Sequence, residues 1–214
     1  MHTDAFWDSS DIRSRLDRLA SHAPAGQVFG ANGHGFRLFG VLGGDQLARF
    51  ERERRFVVPP EYAIFLTEVG DGGAGPGYGL FPLGMCDGVG GELQPWSLEL
   101  VGDLSRDFPH DTAWNLPAAE LQPELDVTDD QLEAWIQQHD RAYFAPSLMD
   151  GAIPIAHMGC AIQLYLVVAG PLAGQVWTDD RASDGGIYPC EPVTFGEWYL
   201  QWLDACERTA GGTR

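Results

Sequence analysis

Apolar residues recur along this chain with two periods, and the switches between them mark out its elements. Ile12, Leu16 and Leu19 share one helical face between residues 8 and 21, with Arg and Asp on the other. Trp7 and Ile12 flank a cap at Asp8 as a hydrophobic staple. A second helix is predicted over 45–56, with Leu47 and Phe50 inward and Arg49, Arg52, Arg54 and Arg55 outward. A third opens at Pro59 and Pro60, because a residue without an amide hydrogen is tolerated only in a first turn. Tyr62, Phe65, Leu66 and Val69 then line one face, and Gly70 stands where a left-handed helix-ending residue belongs. Thr128 with Gln131, and Thr194 with Glu197, form capping boxes that open two more helices. The first turns Trp135 and Ile136 inward. The second presents Phe195, Trp198, Tyr199, Trp202, Leu203 and Cys206 as one wide apolar face.

Strands are expected at 35–41, 78–83, 153–157, 162–168 and 175–178. The run over 162–168 is apolar at nearly every residue, as for a central strand covered on both faces. Residues 84–126 are rich in Gly, Pro and acids yet carry Trp96 and Trp114, so they read as a long structured excursion, not a linker. Grouped strands with helices at both ends predict a single α+β domain, residues 1–214, around a mixed or antiparallel sheet of five or six strands.

An apolar fraction of 44% with seven tryptophans excludes a disordered chain. No apolar run reaches the length of a membrane span, and the first residues lack the basic and apolar blocks of a secretory signal. Cys86, Cys160, Cys190 and Cys206 have no metal-like spacing and read as reduced, mostly buried thiols of a cytoplasmic protein. The net charge is −18, and all 13 basic residues are arginine. Residues 1–58 hold eight Arg against seven acids, a net of +1, whereas residues 59–214 hold five Arg against 24 acids, a net of −19. Such a surface repels phosphate backbones and attracts a basic partner.

Several stretches are similar to the SUKH superfamily of Smi/Knr-like proteins. They are Val58-Pro59-Pro60-Glu61-Tyr62 with its short helix, the glycine run from Gly70, and Tyr78-Gly79-Leu80-Phe81. The blocks at 153–157, 162–168 and 174–181 resemble that family's consecutive central strands, ending in a tryptophan-acid stretch, and 195–203 resembles its C-terminal helix. The resemblance spans roughly residues 40–206. It implies a binding module, since the family joins bacterial immunity proteins that neutralise toxins to fungal regulators of cell-wall synthesis.

Motifs that could carry catalysis or a cofactor read as structure instead. Gly70, Gly72 and Gly75 match G-x-G-x-x-G, but they follow a helix and Pro76 prevents another from starting, the reverse of a dinucleotide site. Asp180, Asp184, Gly185 and Glu191 fall at calcium-loop positions one, five, six and twelve, but Ala182 offers no ligand and Pro189 stiffens the loop. Asp179, Asp180 and Arg181 read instead as an ion-paired strand end. His157 and Cys160 are too close in sequence to act as base and nucleophile across a turn, and Cys160 reads as a small core residue. His110 with Asp111, and the other histidines, have no ligand spacing around them.

The expectation is therefore a non-enzymatic protein-binding module without cofactor or metal, whose partner is a basic, nuclease-like toxin domain. A regulatory interaction module and a hydrolase are the alternatives. Candidate contact residues are Tyr78 and Trp177, beside glycine-rich loop ends, together with Asp179, Asp180 and Arg181. Glu120, Glu124, Asp129 and Asp130 join them from the stretch 87–140, where 13 acids stand against Arg106 alone.

Overall fold

Asp8 starts the first helix as its sequence position requires, accepting the amides of Ser10 and Asp11 at 2.9 and 3.3 Å. The computed structural model describes residues 8–22, 26–88, 92–96, 101–123 and 127–211, so Trp7, the other half of the staple, lies outside the described residues. Helix α1 (Ser9–His22) buries Ile12, Leu16 and Leu19. A single turn, α2 (Ala31–His34), and α3 (Gly44–Arg54) follow. Helix α4 (Pro60–Ile64) opens on its prolines and widens into a π-helical turn over Phe65–Val69. Helix α5 (Asp129–Tyr143) opens on the Thr128–Gln131 capping box. In α6 (Phe195–Gly211), the Glu197 amide donates to Thr194 Oγ1 at 3.3 Å. None of these helices is long and apolar enough to cross a membrane.

The main sheet is antiparallel in the order β3 (Ala152–Gly159), β4 (Ile162–Val167), β5 (Gln175–Asp179), β6 (Ile187–Thr194). A small pair, β1 (Met85–Asp87) and β2 (Leu93–Pro95), lies within the excursion. The architecture is α+β. Both faces of β4 are covered, as its nearly continuous apolar run predicted. Leu164 and Leu166 join the larger core with Ile12, Tyr62, Phe65, Phe195 and Tyr199, contributed by α1, α4 with its π turn, and α6. Tyr165 and Val167 join a second cluster with Phe108, Met149, Trp177 and Ile187. The excursion covers that second face, with Trp114 packed against the cluster.

Four sequence expectations are corrected. Gly70 is extended, with φ 175°, because the π turn closes when its amide reaches back to the Phe65 carbonyl at 2.9 Å. The chain then leaves straight into pairing with residues 37–40. Helix α5 buries Tyr143 at its last turn but leaves Ile136 exposed and Trp135 half-buried, so it leans on the body by one end. The stretches 35–41 and 78–83 do not form ladders. They contribute single rungs, Leu38 to Gly73, Gly73 to Leu80 and Leu80 to Ala156, because positive φ at Phe36, Gly77 and Gly79 breaks their extension. Lastly, β6 is hidden in the sequence by Pro189 and Pro192, which an edge strand tolerates and a central one does not.

The single rungs prolong the sheet on both sides. Beyond β3 it runs through Leu80 and Gly73 to Leu38, and beyond β6 Trp114 exchanges two hydrogen bonds with Ile187 at 2.7 and 2.8 Å.

Candidate functional site

At the β3 side of the sheet, segment 36–42, the glycine turn and the β1 strand converge. Gly77 adopts φ 64°, and a Cβ there would overlap the His157 carbonyl oxygen, so this close approach requires glycine. The approach lets the Tyr78 amide donate to that carbonyl at 3.1 Å. The Tyr78 ring then lies nearly parallel to the His157 imidazole, with centroids 4.9 Å apart, and Phe81 is parallel to the same imidazole at 5.7 Å. Phe29 tilts against Tyr78 at 5.2 Å. His157 Nδ1 stands 3.8 Å from Asp87 Oδ2.

His34 lies deeper. Its Nδ1 accepts the Phe36 amide at 3.0 Å, so the neutral ring carries its proton on Nε2, which is buried without a hydrogen-bond partner among the described residues. Burial pulls the pKa of His34 down to about 4, so the ring is uncharged at neutral pH. A groove of about 530 Å³ runs between these groups, lined among others by His34, Arg37, Phe39, Tyr78, Asp87 and His157. Phe39, Tyr78 and Leu93 on its lining and Phe29 against Tyr78 are 43 to 56% exposed, as is Val41 on an adjoining groove that shares Phe39. An apolar cluster of this kind, rimmed by Arg37 and Asp87, has the character of a contact surface.

A hydrolytic pair does not assemble here. Cys160 sits at the exposed tip of the β3–β4 turn, with φ 51°, and shares no hydrogen bond with His157 among the described residues. Its expected core position is corrected for that reason: Gly159, Cys160 and Ala161 all have positive φ and carry the turn beyond the sheet. The glycine run from Gly70 supplies the bridge between Leu38 and Leu80. Of the calcium-like stretch, Ile187 pairs with Asp179, and Glu191 lies four residues further along β6, roughly 13 Å of extended chain away.

The candidate residues from the sequence divide between the two sides of the sheet. Tyr78 is on the open groove. Trp177 is 1% exposed inside the second cluster, with its Nε1–H donating to Gln175 Oε1 at 3.1 Å. Arg181, 6% exposed, clamps Asp179 through Nε at 2.7 Å and Nη2 at 2.6 Å, and gives Nη1–H to the Tyr143 carbonyl at 2.7 Å. Trp177, Asp179 and Arg181 are therefore interior residues that present no docking surface. Asp180 is half-buried at the same strand end. Glu120 is exposed, as are Asp129 and Asp130 in the first turn of α5, while Glu124 lies outside the described residues. Three inter-strand steps, roughly 15 Å, separate the Tyr78 segment from β5.

His34, Arg37, Phe39, Val41 and Asp87 were not legible as site residues. The available signal was the run Phe36-Arg37-Leu38-Phe39-Gly40-Val41-Leu42, which is apolar on both faces although only one can meet a core. No protein-family model, curated protein or solved structure matches this chain.

Proposed function

We propose that this chain is a non-enzymatic protein-binding module of SUKH type, an immunity protein that occludes a basic, nuclease-like toxin domain. The observation that carries the reading is the group of Phe39, Tyr78 and Leu93, with Phe29 against Tyr78, held exposed around a groove at one side of the sheet. Large aromatic anchors beside a polar rim are the usual centres of protein contacts. The charge of −18 supports a basic partner, because a field of that sign raises the rate of encounter with it. The sequence blocks at 58–83, 153–181 and 195–203 support the family and, through it, toxin neutralisation.

Capture from the native host at low and then high salt tests this, with Tyr78→Ala/Phe39→Ala as the matched control. The expected result is a basic protein held by the wild type and lost by the variant. Expressed alone, that protein should arrest growth, and co-expression of the wild-type chain should restore it. A captured protein that binds both forms equally, or that is harmless on expression, overturns the proposal.

A further inference from the structure

Among the described residues, the outermost rung of the groove side leaves a backbone edge open. Leu38 faces Gly73 with the Phe39 amide donating to Gly72 O at 3.1 Å and the Ala74 amide to Arg37 O at 2.8 Å. In antiparallel geometry, that pattern turns the N–H and C=O of Leu38 itself to the other side, away from the sheet. Side chains alternate along the same segment. Leu38 and Leu42 are partly buried against the core, while Arg37, Phe39 and Val41 are exposed. A second groove, of about 510 Å³, runs beside this edge and is walled on its far side by α1 through Arg13, Asp17 and Ala20. Among the described residues the edge therefore has unpaired backbone, alternating exposed side chains and room alongside, the three requirements for accepting another strand.

We propose that residues 37–41 bind an extended segment of a partner protein by strand addition. The segment pairs its backbone with Leu38, sets apolar residues against Phe39 and Val41, and places a carboxylate against Arg37. This rests on the protein-binding reading above and names how the partner is held. Arg37 has no ion-pair partner among the described residues, and opposite charges across a strand pair are favourable. The same charge argument disfavours a second copy of this chain. Its own 37–41 edge contains no acid to meet Arg37, and two molecules of charge −18 repel. Long-range attraction of a basic partner by residues 59–214 and a local carboxylate contact at this edge are compatible, because they act at different distances.

The test uses the full chain and a displayed library of short random peptides, with the most enriched peptide as the probe. Enriched sequences should alternate apolar and polar positions and carry Asp or Glu. Binding should protect the Leu38 amide from hydrogen exchange, and methylating alternate backbone nitrogens of the peptide should abolish it. Phe39→Asp and Val41→Lys change exposed side chains, so both variants fold, and each should weaken the peptide about tenfold or more. No enrichment, protection confined to amides outside 37–41, or unchanged affinity in both variants overturns strand addition. So does protection of Leu38 without peptide in a concentration-dependent dimer, which would assign the edge to a second copy. Partner capture that is lost in Tyr78→Ala/Phe39→Ala while Leu38 stays unprotected would leave the binding-module reading standing and remove this one alone.

Discussion

At the β6 side of the sheet, Trp114 takes both backbone bonds of Ile187, and behind it Tyr143 donates to Asn115 Oδ1 at 2.6 Å while Arg181 binds Asp179 and the Tyr143 carbonyl. At the β3 side, the sheet thins to single rungs and stops at Leu38, with Phe39 and Val41 facing solvent. The first side spends its polar groups internally, even seating Arg181 over the Phe144 ring at 5.6 Å. Among the described residues, the second leaves Arg37 without an ion pair and the Leu38 backbone without a strand partner on its outer side. A sheet must end somewhere, and an uncovered end is an aggregation hazard unless it is blunted or reserved for a partner. One end of this sheet is sealed at Ile187 by Trp114 and backed by the buried Arg181–Asp179 pair; the other is short, glycine-interrupted and ends, among the described residues, at Leu38.

The sharpest way to break the contrast is Arg181→Ala. Removing one member of a buried pair leaves the Asp179 carboxylate uncompensated, which costs about 3–5 kcal/mol. Urea unfolding should show that loss, and Asp179→Asn in the same molecule should recover part of it. An unchanged midpoint for Arg181→Ala would mean that the sealed side is not held by this network.

Acid should weaken both sides next, and a single variant separates their shares. The pKa of His34 is about 4 in the folded protein against 6.5 in a free chain, so the unfolded state takes up a proton first as pH falls. The stability contributed by neutral His34 is therefore fully present above pH 6.5 and is lost progressively between 6.5 and about 4. His110, at the sealed side, is also pushed down by burial and adds to the loss with the same sign. Unfolding midpoints measured across that window should fall less steeply in His34→Gln than in the wild type. Parallel curves would remove His34 as a source of acid sensitivity.

The smallest expected effect is also informative. Phe39→Asp touches a half-exposed side chain and should shift folding stability by no more than about 0.5 kcal/mol, despite its effect on binding. A large loss of stability would show that Phe39 belongs to the core and that the open side is closed in solution.

The elements of the fold were mostly legible because their signals are local. Capping boxes at Thr128 and Thr194, prolines at the start of α4 and the nearly continuous apolar run of β4 each act within a few residues. Strand β6 escaped because prolines forbid a central strand and say nothing against an edge one, and edge position is not a local property. Of the candidate site, Tyr78 alone among the aromatic residues was placed correctly on the surface. Trp177 was misplaced because an aromatic beside a polar loop end looks the same in sequence whether it faces solvent or Phe108, which it meets at 5.0 Å. Asp179 and Arg181 were read as a pair, which they are, but their burial was not foreseen.

The sequence by itself determined helices α1, α3, α4, α5 and α6 and strands β3, β4 and β5, that the excursion carries apolar anchors, and that acids predominate after residue 58. Tertiary structure alone decided which side of the sheet is sealed. Trp114 meets Ile187, and Tyr143 meets Arg181, across 73 and 38 residues of chain, and no local pattern encodes pairings between such distant segments. The exposure of Phe39 and Val41 follows from the same fact, since burial of an apolar residue depends on whether another segment arrives to cover it, and at Leu38 none among the described residues does.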